Sequence, residues 1–309
     1  MAIANAQSGG NVLKIAAYWW AGRRHVGRLS ADERDVTPLA LGDRAHDVGA
    51  LALVEAMATG AMPKPSGAAL PLSAVKLDAP IPVPRRNIFC VGLNYRAHAT
   101  EFANSGAGGP RTPTQQVVPE FPVIFSKVPE SVIAPEAAIR IPNGLSSSID
   151  YEAELAVIIG RPARHVRRED ALSIVAGYSC YQDATLRDWQ RHTSQFTPGK
   201  NFIGTGGFGP WMVTADEIPD PSRLTLVGRL NKTEMQRTTT DLFIFDIPTL
   251  IAYITTFTEL VPGDVISTGT PGGVGSKRQP PVWMKAGDVF EVEISGIGVL
   301  RNPVVDEAR

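Results

Sequence analysis

The segment IDYEAELAVIIG, residues 149–160, constrains the fold of this chain more than any other stretch. In an extended strand, alternate side chains share a face. Asp150, Glu152 and Glu154 then line one side and Tyr151 and Leu155 the other, while Val157, Ile158 and Ile159 run on without a polar interruption. A strand that is apolar on both faces belongs in the middle of a sheet. Carboxylates at i and i+2 stand ~7 Å apart at Cα, close enough to reach one ion. On an edge strand they would simply face water. In the interior they repel, and desolvation is costly unless they are paired or hold a metal. An all-oxygen donor set selects a hard cation, Mg²⁺ or else Mn²⁺ or Ca²⁺.

A third acid would complete such a site. YQDATLRDWQRH supplies Asp183, and a helical turn starting there would put Arg187 and Gln190 on its face at i+4 and i+7. The plainer reading is a capping Asp with a surface ion pair. Lys200, in PGKNF, adds a cation in a turn-rich stretch. NYRAHATEF places His98 and Glu101 three residues apart. On a helix they meet, and a carboxylate beside an imidazole orients it and raises its basicity, as a general base requires. Away from a cavity the same pair is ordinary helix surface.

The remaining text reads as short strands between turns, which suits 29 Gly and 25 Pro. LKIAAYWWAG and RRHVGRLSA are strands near the start, followed by one helix capped by Asp47 and ended by Gly60. Residues 61–86 are rich in Pro and Ala, so a boundary is expected near residue 80. That leaves a small β-rich N-terminal domain with one helix, 1–80, and a catalytic domain, 81–309. NIFCVGL and PVIFSK are strands, and the Gly-rich residues 95–118 read as a mobile lid. RREDALSIVAGY is a short helix with acids in its first turn. Asp246 caps a helix with Pro248 just inside it and Ile247, Leu250, Ile251 and Ile254 on one face. LTLVGRLN, DVISTG, DVFEVEIS and GVLRNPV alternate as strands. The fold class is α+β, mainly β.

Several function classes are excluded or lack support. A net charge of -1 and the absence of a basic patch argue against nucleic acid, including a metal-dependent nuclease. No apolar run is long enough for a membrane span, and two cysteines make no disulfide framework. No basic and apolar leader opens the sequence, so a cytoplasmic location is expected. Gly204, Gly206 and Gly209 satisfy GxGxxG, but Pro210 and Trp211 open no helix, so a Gly-rich turn is the reading. GTPGGVGSK lacks the end of a Walker loop, and neither GxSxG nor HExxH occurs.

Taken together, CVGLNYxxHAxE, DYEAELAVIIGRPAR, DATxRDxQ, GKNF, the GPW at 209–211, PGDVISTGTPGGVG and KAGDVFEVEISGIGxLxNPV resemble the fumarylacetoacetate hydrolase (FAH) family over residues of about 85 to 305. The resemblance implies the family's mixed β-roll or sandwich fold behind a small N-terminal domain, and a homodimer. It implies one Mg²⁺ (Mn²⁺ or Ca²⁺) on Glu152, Glu154 and Asp183. Arg187, Gln190 and Lys200 match positions lining the substrate site; Thr270 matches a threonine that holds the substrate carboxylate, and Tyr95 is placed with the substrate-binding residues. His98 and Glu101 match the lid dyad of hydrolytic and decarboxylating members. Three positions depart from the pattern: Ile203 where Asp is common, Gln182 where Asn is common, and Lys232 after Asn231 where Gly is usual in a two-residue turn. The first two lie near the expected pocket and bear on substrate identity.

The implied activity is hydrolysis of a carbon–carbon bond in a 2,4-dioxo acid, an acylpyruvate such as fumarylpyruvate, to pyruvate and a carboxylic acid. Catalysis would fall to His98, Glu101, Lys200 and Gln190, with Lys200 and Gln190 stabilising the oxyanion or protonating the leaving carbon. The same chemistry serves a decarboxylase or an isomerase or hydratase of 2-oxo dicarboxylic acids in aromatic catabolism. A non-catalytic β-rich module with a stabilising Ca²⁺ is the competing class.

Overall fold

A computed structural model describes residues 13–104, 118–142 and 144–308. Most of the expected lid segment, residues 105–117, lies outside the described residues. A 12-stranded mixed sheet forms the body. Along its main path run Leu70–Pro71, Asp35–Pro38, Arg23–Leu29, Lys14–Trp20, Gly206–Thr214, Val175–Asp183, Ala153–Ile159, Val265–Ser267, Ile88–Gly92 and Val123–Lys127. Neighbours on this path are antiparallel except Val265–Ser267 with Ile88–Gly92. A five-stranded sheet, Thr233–Thr239, Thr225–Leu230, Val289–Ile294, Gly298–Asp306 and Ile139–Ile141, packs against it.

The strand Ala153–Ile159 is central, and all seven of its residues are buried. Its odd positions, Ala153, Leu155, Val157 and Ile159, join the core shared with Leu226, Phe290, Val292 and Leu300 of the smaller sheet. Its even positions, Ala156 and Ile158, join a second core with Leu51, Val54, Ile81 and Met212. Each Val or Ile buried in this way contributes ~1.5–3 kcal/mol. Tyr151 sits on the odd side, its ring stacked on Phe290 at 4.9 Å. Glu152 and Glu154 continue the even side.

The extended run is shorter than the sequence suggests. It breaks at Tyr151–Glu152, and Ile149–Asp150 pairs separately with Thr185–Leu186. Asp150 is therefore carried away from the other two acids and accepts hydrogen bonds from Gly275 N at 2.7 Å and Ser276 N at 3.0 Å.

The N-terminal residues add strands to the body's sheet: Lys14 and Ile15 pair with Val213 and Met212. The single expected helix is two, Asp43–Val48 and Leu51–Ala58. Asp47 lies inside the first and caps nothing. The break falls at Gly49, whose φ is +61°, and any Cβ there would come within 2.6 Å of Pro82 and 2.8 Å of the Pro80 carbonyl oxygen. Gly60, with φ +79°, follows the second helix as expected.

The helix Ile247–Phe257 forms as read: Asp246 accepts from Thr249 N at 2.9 Å, and Ile247, Leu250, Ile251 and Ile254 are buried. REDALSI is a 3-10 helix, Arg168–Ile174, and the VAGY after it opens the strand Val175–Asp183. The Gly206–Thr214 segment is a buried strand, where a plain turn was expected for GxGxxG. Asn231 and Lys232 both take positive φ, +50° and +68°, in the hairpin between Thr225–Leu230 and Thr233–Thr239, so Lys232 adopts the left-handed geometry usually left to Gly.

Candidate active site

Glu152, Glu154 and Asp183 bring ligand oxygens within 4.8 Å of one another, all three side chains buried. Asp183 is the last residue of the strand Val175–Asp183, which pairs with Ala153–Ile159 so that Ala153 faces Gln182. Asp183 therefore starts no helix. The helical turn begins four residues later as Arg187–Gln190.

The cations expected here are also buried. Lys200 Nζ donates to Glu152 Oε2 at 2.7 Å and Asp183 Oδ2 at 2.6 Å. It is 2% exposed, so it is no surface lysine. Arg187 binds Asp150 Oδ2 through Nε at 2.8 Å and Glu152 Oε1 through Nη2 at 2.6 Å. Gly199 lets these pieces meet, because a Cβ there would overlap the backbone nitrogen of Gln190. The tetrapeptide turn Thr197–Lys200 thus packs directly on Arg187–Gln190.

A lysine that the sequence reading passed over completes the centre. Lys127, at the end of Val123–Lys127, is fully buried and lies 3.0 Å from Asp183 Oδ1. It also donates to Thr205 Oγ1 at 3.0 Å and to the carbonyl of Lys200. Its signal was a lysine closing an otherwise apolar strand. Four acids, Asp150, Glu152, Glu154 and Asp183, thus stand against three cations, Lys127, Arg187 and Lys200.

Glu154 is the uncompensated acid. Its Oε2 accepts only neutral donors, Ser267 Oγ at 2.5 Å and Gly269 N at 2.9 Å. Burial, then Asp183 and Glu152, push its carboxyl up to about 8. Glu152 moves the other way: burial would raise it, but Lys200 and Arg187 hold it below the usual carboxylate range. Burial would likewise lower Lys200, but Asp183 and Glu152 raise it above the ordinary lysine range. A buried, all-oxygen donor set with one acid short of positive charge fits a hard divalent cation.

Glu152, Glu154 and Lys200 line a cavity of about 470 Å³, as do His98, Arg187, Gln190 and Thr270, while Asp183 is outside the lining and bonds Lys200. His98 is on the helix Arg96–Asn104, 7% exposed, its Nδ1 3.8 Å from Glu101 Oε2. Glu101 accepts from Gly273 N at 3.0 Å, so the glycine-rich 269–275 loop anchors the helix that carries the histidine. Gln190 Oε1 accepts from Arg187 at 3.0 Å, which leaves its amide NH₂ as the remaining donor. Thr270 Oγ1 donates to the Ala153 carbonyl at 3.1 Å and accepts from Gln236 at 2.8 Å, so its hydroxyl proton is committed to the backbone.

Two expected positions fall elsewhere. Tyr95 is outside the cavity lining; its ring is buried 4.9 Å from that of Phe243. Ile203 is 61% exposed and does not line the cavity. Gln182 does act at the site, because its Oε1 accepts from the Glu152 backbone nitrogen at 3.0 Å.

A two-sheet β-rich body, with a buried two-glutamate, one-aspartate cluster whose oxygens converge as metal ligands would, beside a His–Glu pair, defines an enzyme class. The chain belongs to the fumarylacetoacetate hydrolase family: residues 87–305 match the family described as "Fumarylacetoacetate (FAA) hydrolase C-terminal". It is 41% identical over 236 residues to the mitochondrial oxaloacetate tautomerase fahd2 of Xenopus laevis, covering 75% of this chain and 69% of the relative. It is 38% identical over 233 residues to oxaloacetate tautomerase YisK of Bacillus subtilis, covering 75% and 74%. Among solved structures, a fumarylacetoacetate hydrolase from Exiguobacterium antarcticum aligns over 96% of this chain and 100% of its own at a TM-score of 0.79 and 34% identity. No helix among the described residues is long and apolar enough to cross a membrane.

Proposed function

We propose that the protein is a Mg²⁺- or Mn²⁺-dependent enzyme that moves a proton on a 2-oxo acid, interconverting the keto and enol forms of an oxaloacetate-like substrate. The observation that carries this reading is that His98, backed by Glu101, lines the same cavity as Glu152 and Glu154, whose ligand oxygens lie within 4.8 Å of that of Asp183. The two oxaloacetate tautomerases at 38% and 41% identity support it.

A hard cation on the three acids supplies Lewis-acid stabilisation of the negative charge that develops on the 2-oxo oxygen. The chain's own residues do the rest. With Nδ1 turned to Glu101, His98 takes the C3 proton at Nε2; the C–H electrons become the C2–C3 double bond, the carbonyl π pair moves onto the 2-oxo oxygen, and the imidazolium returns its proton to that oxygen to give the enol. Lys200 is held protonated by Asp183 and Glu152, so it serves as a fixed positive charge and donor rather than a base. The Gln190 NH₂ is a second donor to the developing oxyanion.

Hydrolytic cleavage of a 2,4-dioxo acid uses the same site with one addition: His98 activates a water that attacks the distal carbonyl. The complete His98–Glu101 pair and the likeness to the Exiguobacterium hydrolase favour this as a second reading. One assay separates them. With Mg²⁺ present, the protein should accelerate decay of the enol absorbance of oxaloacetate without consuming it, and EDTA should abolish the effect. Pyruvate released from an acylpyruvate, with no effect on oxaloacetate tautomerisation, would replace the first reading with the second.

A further inference from the structure

Glu152 and Glu154 flank Ala153, and the strand breaks just before it. Two glutamines, each 1% exposed, take the consecutive backbone N–H groups at the break. Gln182 Oε1 accepts that of Glu152 and Gln236 Oε1 that of Ala153, each at 3.0 Å. The two differ in where the rest of the amide goes. Gln182 Nε2 has no partner among the described residues. Gln236 Nε2 donates to Thr270 Oγ1 at 2.8 Å and to the Pro271 carbonyl at 3.0 Å. We infer that Gln236 is a positioning residue: its amide ties the metal-binding strand to the loop that holds Glu101, and so sets the His98–Glu101 pair against the metal centre. This rests on the metal-centre reading given above.

Gln236 belongs to Thr233–Thr239 of the smaller sheet, so it reaches the site from outside the sheet that carries the acids. Its carbonyl oxygen and both donor directions of its NH₂ are in use, which fixes the plane of the amide. The bonds close a ring on Ala153. Gln236 takes the Ala153 N–H, Thr270 Oγ1 donates to the Ala153 carbonyl at 3.1 Å, and Gln236 holds Thr270. The residue between the two glutamates is thus held by both of its backbone polar groups.

Thr270 and Pro271 lie in a loop that is anchored to both halves of the site. Gly269 N donates to Glu154 Oε2 at 2.9 Å, and Gly273 N donates to Glu101 Oε1 at 3.0 Å. Arg278 fastens the Gly273 end to the strand of Gln236, donating to the Gly273 carbonyl at 3.3 Å and to the Met235 carbonyl at 2.6 Å. A cation that orders the two glutamate carboxylates also orders the backbone between them. Through Gln236 and Thr270 the loop is ordered with it, and through Gly273 so is Glu101 on the helix Arg96–Asn104. Members of a buried, satisfied network are coupled, because losing one leaves the others unpaired at a cost. Among the described residues Gln182 makes no bond to this loop, so the same strand break supplies a matched control.

The test reads the helix rather than turnover. Backbone hydrogen exchange in Arg96–Asn104 is measured with and without saturating Mg²⁺, and Mg²⁺ affinity is measured by calorimetry. In the native protein Mg²⁺ should slow that exchange about fivefold or more, the lower range for coupled sites. Gln236→Met should still bind Mg²⁺, more weakly, and should lose the slowing. Thr270→Val, a smaller change to the same ring, should reduce it. Gln182→Met also strands a buried N–H of the glutamate segment, so it should weaken Mg²⁺ binding yet keep the slowing. Both glutamine variants should melt below the native protein, which separates positioning from stability. If Gln236→Met does not fold, Thr270→Val against Gln182→Met decides in the same way. Slowing undiminished in Gln236→Met or Thr270→Val, equal loss in both glutamine variants, or Mg²⁺ binding to the native protein without slowing would overturn the inference and leave the metal centre standing. A native protein that binds no Mg²⁺ would sink the metal-centre reading and this inference with it.

Discussion

The ammonium of Lys200 lies 2.6 Å from Asp183 Oδ2 and 2.7 Å from Glu152 Oε2, inside the cluster of acids that the metal would occupy. Glu154 has no such cation. The three acids therefore differ in what their removal does. Glu154→Gln should leave the metal-free protein about as stable as the native one near neutral pH, because a carboxyl pushed up to about 8 is already mostly neutral there and the amide replaces it in kind. It should also erase the stabilisation that saturating Mg²⁺ gives the native protein, ~2.7 kcal/mol at one hundred times Kd. Thermal melts with and without Mg²⁺ read both effects.

Lys127 and Asp183 form a fully buried pair at 3.0 Å. Lys127→Met should destabilise by ~3–5 kcal/mol, because an unpaired side of the aspartate stays in the interior. Asp183→Asn should cost a similar amount by stranding two lysines. In denaturant melts the double variant should lose much less than the sum. Strict additivity would show that the pair is not coupled.

His98→Ala should lower the catalysed rate ~10²–10⁴-fold. Glu101→Gln should lower it less, since the ring would lose its orienting carboxylate but keep its Nε2 in the cavity. Neither residue touches the metal acids in the hydrogen-bond network, so Mg²⁺-dependent melting should persist in both. Full activity in His98→Ala would assign the proton transfer to another group.

Gly199→Ala tests how finely Lys200 is placed. The added methyl overlaps the Gln190 backbone, so the two helical turns must separate. A stability loss of ~1–3 kcal/mol is expected. The rate should fall further than the lowered melting temperature explains. Native stability in this variant would mean that the turns have room to give.

Lys277 predicts a pH dependence. Its folded pKa is about 8, below the unfolded lysine value, with Arg191, Arg187, Asp150 and Glu101 around it. Below about 8 the ammonium is charged; above it the charge is lost. For folding, the unfolded chain holds this proton between about 8 and the normal lysine value and the native chain does not, so this group's contribution to stability rises with pH in that window. Lys277→Met should flatten that profile in denaturant melts across about pH 7 to 10.

Alternation of side chains along one strand made Glu152 and Glu154 legible as neighbours on one face, and the apolar run after them made that strand central. Local capping chemistry did the same for Ile247–Phe257. Such features depend on residues within a turn or two of each other, so they can be read in a line of text. Motif order along the chain pointed to the family and to Asp183, His98 and Lys200. What the text could not carry was which distant side chain answers each charge. Lys127 at Asp183, and Asp150 drawn off to Arg187 and the 275–276 backbone, arise from strand pairing and loop packing across wide sequence separations. Tyr95 and Ile203 sit within suggestive motifs, yet packing on Phe243 keeps one out of the cavity lining and solvent exposure places the other outside it. Sequence sets which groups a chain has available. Burial, which turns each unpartnered charge into a large free-energy cost, is a property of the folded whole, and it decides which groups meet.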